Sequence, residues 1–290
     1  MCKELGISSA AYYKWLHRVI PEQEQENNEV AKLIKEYDER FNHILGYRRM
    51  TSWISHFNLT RYSKKRLHRI MQKLDIQAII RKKKKKYKSS TPDQIAENKL
   101  GRDFYADVPN EKWATDVTEF KVPGTQKKLY LSAILDLYDR YPVSHVISYR
   151  NDNHVVFKPF DKAIDTNPNA KPLFHSDRVF QYTSKAFQSK FKKQEMEQSI
   201  SRVGHCIDKG PTEGFWGIIK TEMYQMYDIT DETSLRYAIN DYIRFYSTER
   251  PQDCYKCKTP LEVRTEALQS EQVQFYPIPK NIRIEKYKER

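Results

Sequence analysis

What the sequence lacks sets the first limits. It has no run of 18 or more apolar residues and no apolar signal-like stretch after Met1, so neither a helical membrane span nor a secretory leader is expected. Cysteine is scarce, four in 290 residues, too few for a disulfide framework and in keeping with a reducing intracellular compartment. Acid is scarce in one region: between Arg40 and Lys88 stand 16 basic residues and one acidic residue, Asp75. No internal repeat is visible. What is present, 39% hydrophobic and 31% charged residues, is enough for a buried core, and the length fits about two domains.

The net charge of +13 is unevenly placed: residues 1–92 carry +12 and residues 93–290 only +1. A basic first part joined to a nearly neutral second part divides the work between holding a polyanion and acting on it. Leu5–Ser9 reads as a turn with a serine cap before the short helix AAYYKWL, and PEQEQENN (Pro21–Asn28) reads as a linker. Helical spacing then recurs in Asn28–Phe41, Gly46–Phe57 and Ser63–Leu74, the last with Leu67, Ile70, Met71 and Leu74 on one stripe and Ser63 as its cap. This third helix also carries Lys64, Lys65, Arg66, Arg69 and Lys73. Such a unit suits a helix-turn-helix-like DNA reader whose last helix enters the major groove, although the periodicity fits an ordinary surface helix equally well. Arg81–Lys88 reads RKKKKKYK and cannot build a core; Arg81, Lys82, Lys83 and Lys84 are expected to meet phosphates from a flexible tether. The expected division is a helical DNA-binding region at 1–80, a basic linker at 81–99, a catalytic core at 100–230 and a closing helix and tail at 231–290.

After Leu100 the pattern turns to strands: Trp113–Phe120, Leu129–Leu137 and Tyr141–Tyr149, closely connected and expected to be antiparallel. A helix at Asn153–Asp165, a short strand at Pro172–His175 and helices near Ser184–Gln194, Pro211–Tyr227 and Thr233–Tyr246 complete an α/β layout with a mixed sheet flanked by helices. Within it stand three acids. Asp116 sits mid-strand, where an aspartate is locally unfavourable, on the face opposite Thr115 and Val117. Asp177 follows a strand end, and Glu213 lies in the first turn of a helix opened by Pro211. Convergence of three carboxylates at a sheet edge needs compensating cations, and magnesium favours oxygen ligands. Taken singly, each acid reads equally as a cap, a turn or a surface residue.

The constellation carries a resemblance. WATDVTEF, LYLSAILDLYDRYPVSHVIS, HSDRVFQYTS and SISRVGHCIDKGPTEGFWGIIKTE resemble the second-frame product of IS-three-type bacterial insertion-sequence transposases, whose core is similar to retroviral integrases and has a ribonuclease-H-like fold. The 35 residues between Asp177 and Glu213 match the spacing of the family's acidic triad. GYRRMTSWI and SKKRLHRIMQKLDIQAIIRKKKK resemble its helical DNA-binding region, and YIRFYSTERPQ and KTPLEVR its closing helix and tail.

The resemblance implies a metal-dependent polynucleotidyl transferase with Asp116, Asp177 and Glu213 as catalytic and metal-binding residues. It also implies two Mg2+ ions per site, with Mn2+ able to substitute. The implied partners are double-stranded DNA, further copies of the chain in a synaptic complex, and the separate first-frame product of the same element. The setting is the bacterial cytoplasm, at the nucleoid, with no membrane partner. Lys220, seven residues beyond Glu213 on the same helix face, is a candidate DNA contact, and Arg202 and His175 are weaker ones. Val179, Lys209 and Gly214 depart from the family's usual glycine, asparagine and serine. The alternatives are an inactive DNA-binding remnant of a decayed element and a nuclease without strand transfer. Asp136 and Asp139 are read as acids outside the triad, Cys254 and Cys257 as ordinary reduced thiols, and the 20 tyrosines mainly as core.

Overall fold

The computed structural model describes residues 2, 4, 6–79, 103–177, 179–201 and 210–276. The expected tether with Arg81, Lys82, Lys83 and Lys84 lies outside the described residues, as do Arg202 and Lys209. Four helices come first: α1 (Ser9–Leu16), α2 (Glu22–Arg40), α3 (Tyr47–Phe57) and α4 (Lys64–Lys73). The stretch expected as a linker is helix instead. Pro21, with φ −60°, stands as the N-cap of α2, and Glu22 and Glu24 occupy the first turn, where the positive end of the helix dipole favours acids. Its polar composition misleads because the apolar stripe of α2 begins only at Val30, followed by Ile34 and Tyr37. Ser63 caps α4 as expected, accepting from the Arg66 N–H, whereas the Ser8 side chain makes no cap bond to α1. Val30, Ile34, Met50, Trp53, Ile54, Leu67 and Met71 close the core of this helical unit.

The second layer is a five-stranded mixed sheet built from β1 (Lys112–Lys121), β2 (Lys128–Asp136), β3 (Pro142–Ser148), β4 (Leu173–Ser176) and β5 (Gln198–Ile200), in the order β3-β2-β1-β4-β5. The first three strands are antiparallel, as their short connections require; β4 runs parallel to β1, and β5 parallel to β4. With helices on both faces this is the ribonuclease-H-like arrangement. Its helices are α5 (Asn153–Thr166), α6 (Phe180–Thr183), α7 (Lys185–Lys193), α8 (Gly210–Met226), α9 (Glu232–Thr248) and α10 (Pro260–Gln269).

Side chains alternate across β1, so its two faces meet different partners. Trp113 joins Val155, Phe160, Phe174 and Phe187 on the side of α5 and α7. Phe120 joins Phe215, Trp216 and Ile219 on the side of α8 and α9. The helical unit docks outside α8 and α9, and its core is continuous with theirs: Phe41 and Trp53 each lie 5.8 Å from the Phe245 ring. Among the described residues, no helix is long and apolar enough to cross a membrane.

Candidate active site

The position of Asp116 follows from strand register. Trp113 pairs with Phe174 and Ala114 with His175 across β1 and β4. Two residues beyond Ala114 stands Asp116, mid-strand in β1, and two beyond His175 stands Asp177, just past the end of β4, the strand next to β1. Side chains alternate along a strand, so Asp116 lies on the face opposite Trp113, where Trp216 of α8 reaches it. Glu213 lies in the first turn of α8 and is exposed. Trp216, one turn further on, donates its indole N–H to Asp116 Oδ2 at 3.2 Å. Residues three apart share a helix face, so the helix that brings Trp216 onto Asp116 brings Glu213 to the same end of the sheet.

The two aspartates are half-buried and oriented by neutral donors: Trp216 for Asp116, and the Ser201 hydroxyl for Asp177 at 2.9 Å. Behind them, on the opposite face of the sheet, the buried Tyr182 hydroxyl lies 3.0 Å from Thr115 Oγ1. Its ionisation is pushed up, first by burial and also by the charges of Asp116 and Asp177, so both carboxylates lie within electrostatic reach of one phenol. His175 is buried with Nδ1 3.0 Å from Ser199 Oγ, which gives it a structural setting on β4. Among the described residues no three His, Cys, Asp or Glu side chains form a closed group able to hold a metal ion. Like charges resist close approach without a cation, and here each aspartate leans on its own hydrogen-bond donor. The donor set is nonetheless all carboxylate oxygen, which suits a hard divalent cation.

The expected DNA contacts divide. Lys65, Arg69 and Lys73 are exposed at i, i+4 and i+8 along α4, and none makes an ion pair among the described residues. Lys64 is paired with Asp253 at 2.8 Å, and Arg66 with Glu26 at 2.7 Å. Lys220 lies over the Phe120 ring, 5.2 Å from its centroid. Val179 has φ −77°, ordinary extended backbone, so the turn after Asp177 accepts a β-branched residue there without strain. Gly214 is interior to α8, and a Cβ added there would meet nothing within 4 Å. Gly214→Ala is therefore expected to stabilise the protein by about 0.5–1 kcal/mol. Urea unfolding checks this, and a destabilised variant would show that the glycine serves a close approach.

Asp136 and Asp139 stand apart from the triad. Asp136 pairs in register with Trp113, three residues along β1 from Asp116. Both acids are fully buried and accept from Arg264 Nη1 at 3.0 Å, pinning α10 beneath the sheet. Burial raises both carboxyls; Asp139 is pushed up to about 7 by burial and then by Asp136. A raised carboxyl stabilises the fold below its unfolded value of 3.8, and that contribution is lost as pH rises through about 7. Urea midpoints should accordingly fall between pH 5 and pH 8. Asp139→Asn should flatten that slope, and an unchanged slope would reject the assignment. Cys254 and Cys257 are free thiols, as expected.

Sequence reasoning missed Trp216 and Ser201 as partners of the acids. Helical spacing from Glu213 points to Trp216; Ser201 follows β5, a three-residue strand too short to leave a pattern.

The chain is similar to several known proteins. Two integrase core domain models match residues 106–206 and 213–268, and an HTH-like domain model matches residues 25–84. The putative transposase InsK for insertion sequence element IS150 of Escherichia coli (strain K12) is 35% identical over 239 residues, 82% of this chain and 83% of the relative. Transposase InsF for insertion sequence IS3A of the same organism is 29% identical over 150 residues, 51% of each chain. Among solved structures, the HTLV-2 integrase catalytic core domain in complex with magnesium (dimeric form) is 22% identical with a TM-score of 0.44, covering 54% of this chain and 97% of that one. With 35% identity to a transposase across most of both chains and integrase-core matches over residues 106–206 and 213–268, this chain belongs to the IS3-type insertion-sequence transposases with an integrase-like core.

Proposed function

We propose that this transposase cleaves and joins DNA strands at the ends of its element through a metal-dependent triad of Asp116, Asp177 and Glu213. The observation that supports the reading is the placement of Asp116 on β1 and of Asp177 just past the end of the adjoining parallel strand β4, with Trp216 tying Asp116 to the Glu213 helix. Asp116, Asp177 and Glu213 would together hold the ions through their carboxylate oxygens. Two divalent ions, magnesium or manganese, supply the Lewis acidity that activates an attacking hydroxyl and stabilises the leaving oxygen. Trp216 and Ser201 fix the rotamers of the aspartates, and the exposed row Lys65, Arg69 and Lys73 positions duplex DNA through its phosphates, with Lys64, Arg66 and Lys220 as further contacts. A first strand is hydrolysed at an element end, and the freed 3′ hydroxyl then attacks a second phosphodiester, with no covalent enzyme intermediate. Two DNA ends must be held together, so the working form is a synaptic oligomer of this chain, with the first-frame product of the element as an additional partner.

The test is joining of labelled, pre-cut element ends to a target duplex in magnesium, in manganese and with a chelator. Joining that requires the metal supports the reading. Binding without joining, on true ends and with the first-frame product supplied, would replace it with a DNA-binding remnant.

A further inference from the structure

On the outer side of the helical unit, Tyr47 and Arg48 from the start of α3 and Lys64, Lys65 and His68 from the start of α4 line a concavity of about 310 Å3. The last lining residue comes from far along the chain: Asp253, in the short 3-10 turn Asp253–Tyr255 that follows α9. The walls are cationic and aromatic. Arg48 Nε donates to the Tyr47 hydroxyl at 3.0 Å, and the Tyr47 ring lies 4.7 Å from the His68 ring. Lys64 Nζ donates to both Asp253 oxygens at 2.8 Å.

A single carboxylate thus sits among two lysines, an arginine and a histidine. Among the described residues it is the only acidic side chain lining the concavity, and it reaches the cluster from a separate part of the chain. Lys64 and Asp253 are both exposed, so solvent screens their pair and it exchanges readily for another anion. From Lys65 the exposed row continues through Arg69 to Lys73 along α4, so the cationic surface extends as a line beyond the concavity. A line of this kind fits a polymer of phosphates better than a single small anion.

We propose that this concavity seats one backbone phosphate of duplex DNA, and that Asp253 is a built-in competitor that occupies it in the DNA-free protein. The inference rests on the DNA-binding reading given above and adds a specific subsite and an internal brake. DNA entering the concavity exchanges the Lys64–Asp253 pair for a Lys64–phosphate pair, and the displaced carboxylate is left in water.

The experiment is fluorescence anisotropy of the full chain on a labelled generic duplex across a salt series. Asp253→Asn is expected to tighten binding about three-fold at low salt, the worth of one exposed ion pair. Lys64→Gln is expected to weaken binding and to reduce the slope of log K against log salt by about 0.9, one phosphate contact. In the Lys64→Gln background the gain from Asp253→Asn should shrink toward unity. Glu195→Gln removes an equal charge from an exposed pair with Lys171 and should leave affinity unchanged. A thermal melt of each variant confirms folding. Tight wild-type binding with no effect of Asp253→Asn, or an equal gain from Glu195→Gln, overturns the inference and leaves the DNA-binding reading standing. Absence of duplex binding by every variant overturns both.

Discussion

If the proposed triad holds, Glu213→Gln is expected to lower metal-dependent strand joining by at least about 10³-fold while leaving the fold intact, because losing a metal ligand would remove several kcal/mol of Lewis-acid stabilisation. Glu213 is exposed in the first turn of α8, and surface exchanges away from special features change stability by only about 0.5 kcal/mol. Asp116→Asn and Asp177→Asn should behave alike. An asparagine keeps an oxygen for the Trp216 indole or the Ser201 hydroxyl, so the hydrogen bonds that orient the side chains survive while the charge is lost. Single-turnover joining in magnesium and manganese reads the effect, with melting temperature as the control. Joining within ten-fold of the wild type in a folded variant would remove that residue from the proposed triad.

The second large effect lies behind the same helix. Glu222, nine residues along α8 from Glu213, is buried and gathers four donated hydrogen bonds: two from Arg250, at 2.9 and 2.8 Å, one from Arg49 at 2.6 Å and one from the Tyr242 hydroxyl at 2.8 Å. Burial pushes its carboxyl up, but Arg250, followed by Arg49 and Tyr242, more than reverses this, and the group titrates below the usual carboxylate range. Glu222→Ala strands Arg250 without its partner and should cost about 3–5 kcal/mol, measured by urea unfolding. The depressed carboxyl stabilises the fold above its unfolded value of 4.5, and that contribution is lost as pH falls through the lower folded value. The variant should therefore lose part of the wild type's acid sensitivity. Replacing Glu222 and Arg250 together with leucines should recover much of the loss, since no buried charge is then left unpaired and the half-exposed Arg49 can turn to water. A cost below about 1 kcal/mol for Glu222→Ala would mean that water reaches the network and that it does not hold the helical unit to α8.

The parts of the fold legible in the sequence were those that leave a period. Strands β1 to β3 announce themselves by β-branched and aromatic runs, and α3 and α4 by their apolar stripes. Strand β5 has three residues and α6 four, too few for any period to register. The start of α2 was hidden because Glu22–Asn28 face solvent and only Val30 opens the buried stripe. For the site, the acids were visible through their setting and family spacing. Their orientation was not, because it depends on Trp216 and Ser201 meeting them across 100 and 24 positions of chain. The buried pair of Arg264 with Asp136 and Asp139 was equally hidden, since a lone arginine in KTPLEVR gives no sign that it lies beneath the sheet.

The aromatic weld of Phe41 and Trp53 onto Phe245, with Arg49 locked to Glu222, gives the protein the character of a ruler. The helix proposed to meet DNA and the helix bearing Glu213 are parts of one packed body, so on that proposal the span from DNA contact to candidate site is set by side-chain packing. On the proposed function, the number of base pairs between a recognised sequence and the scissile bond would be a dimension of the folded protein, fixed as firmly as the radius of its core.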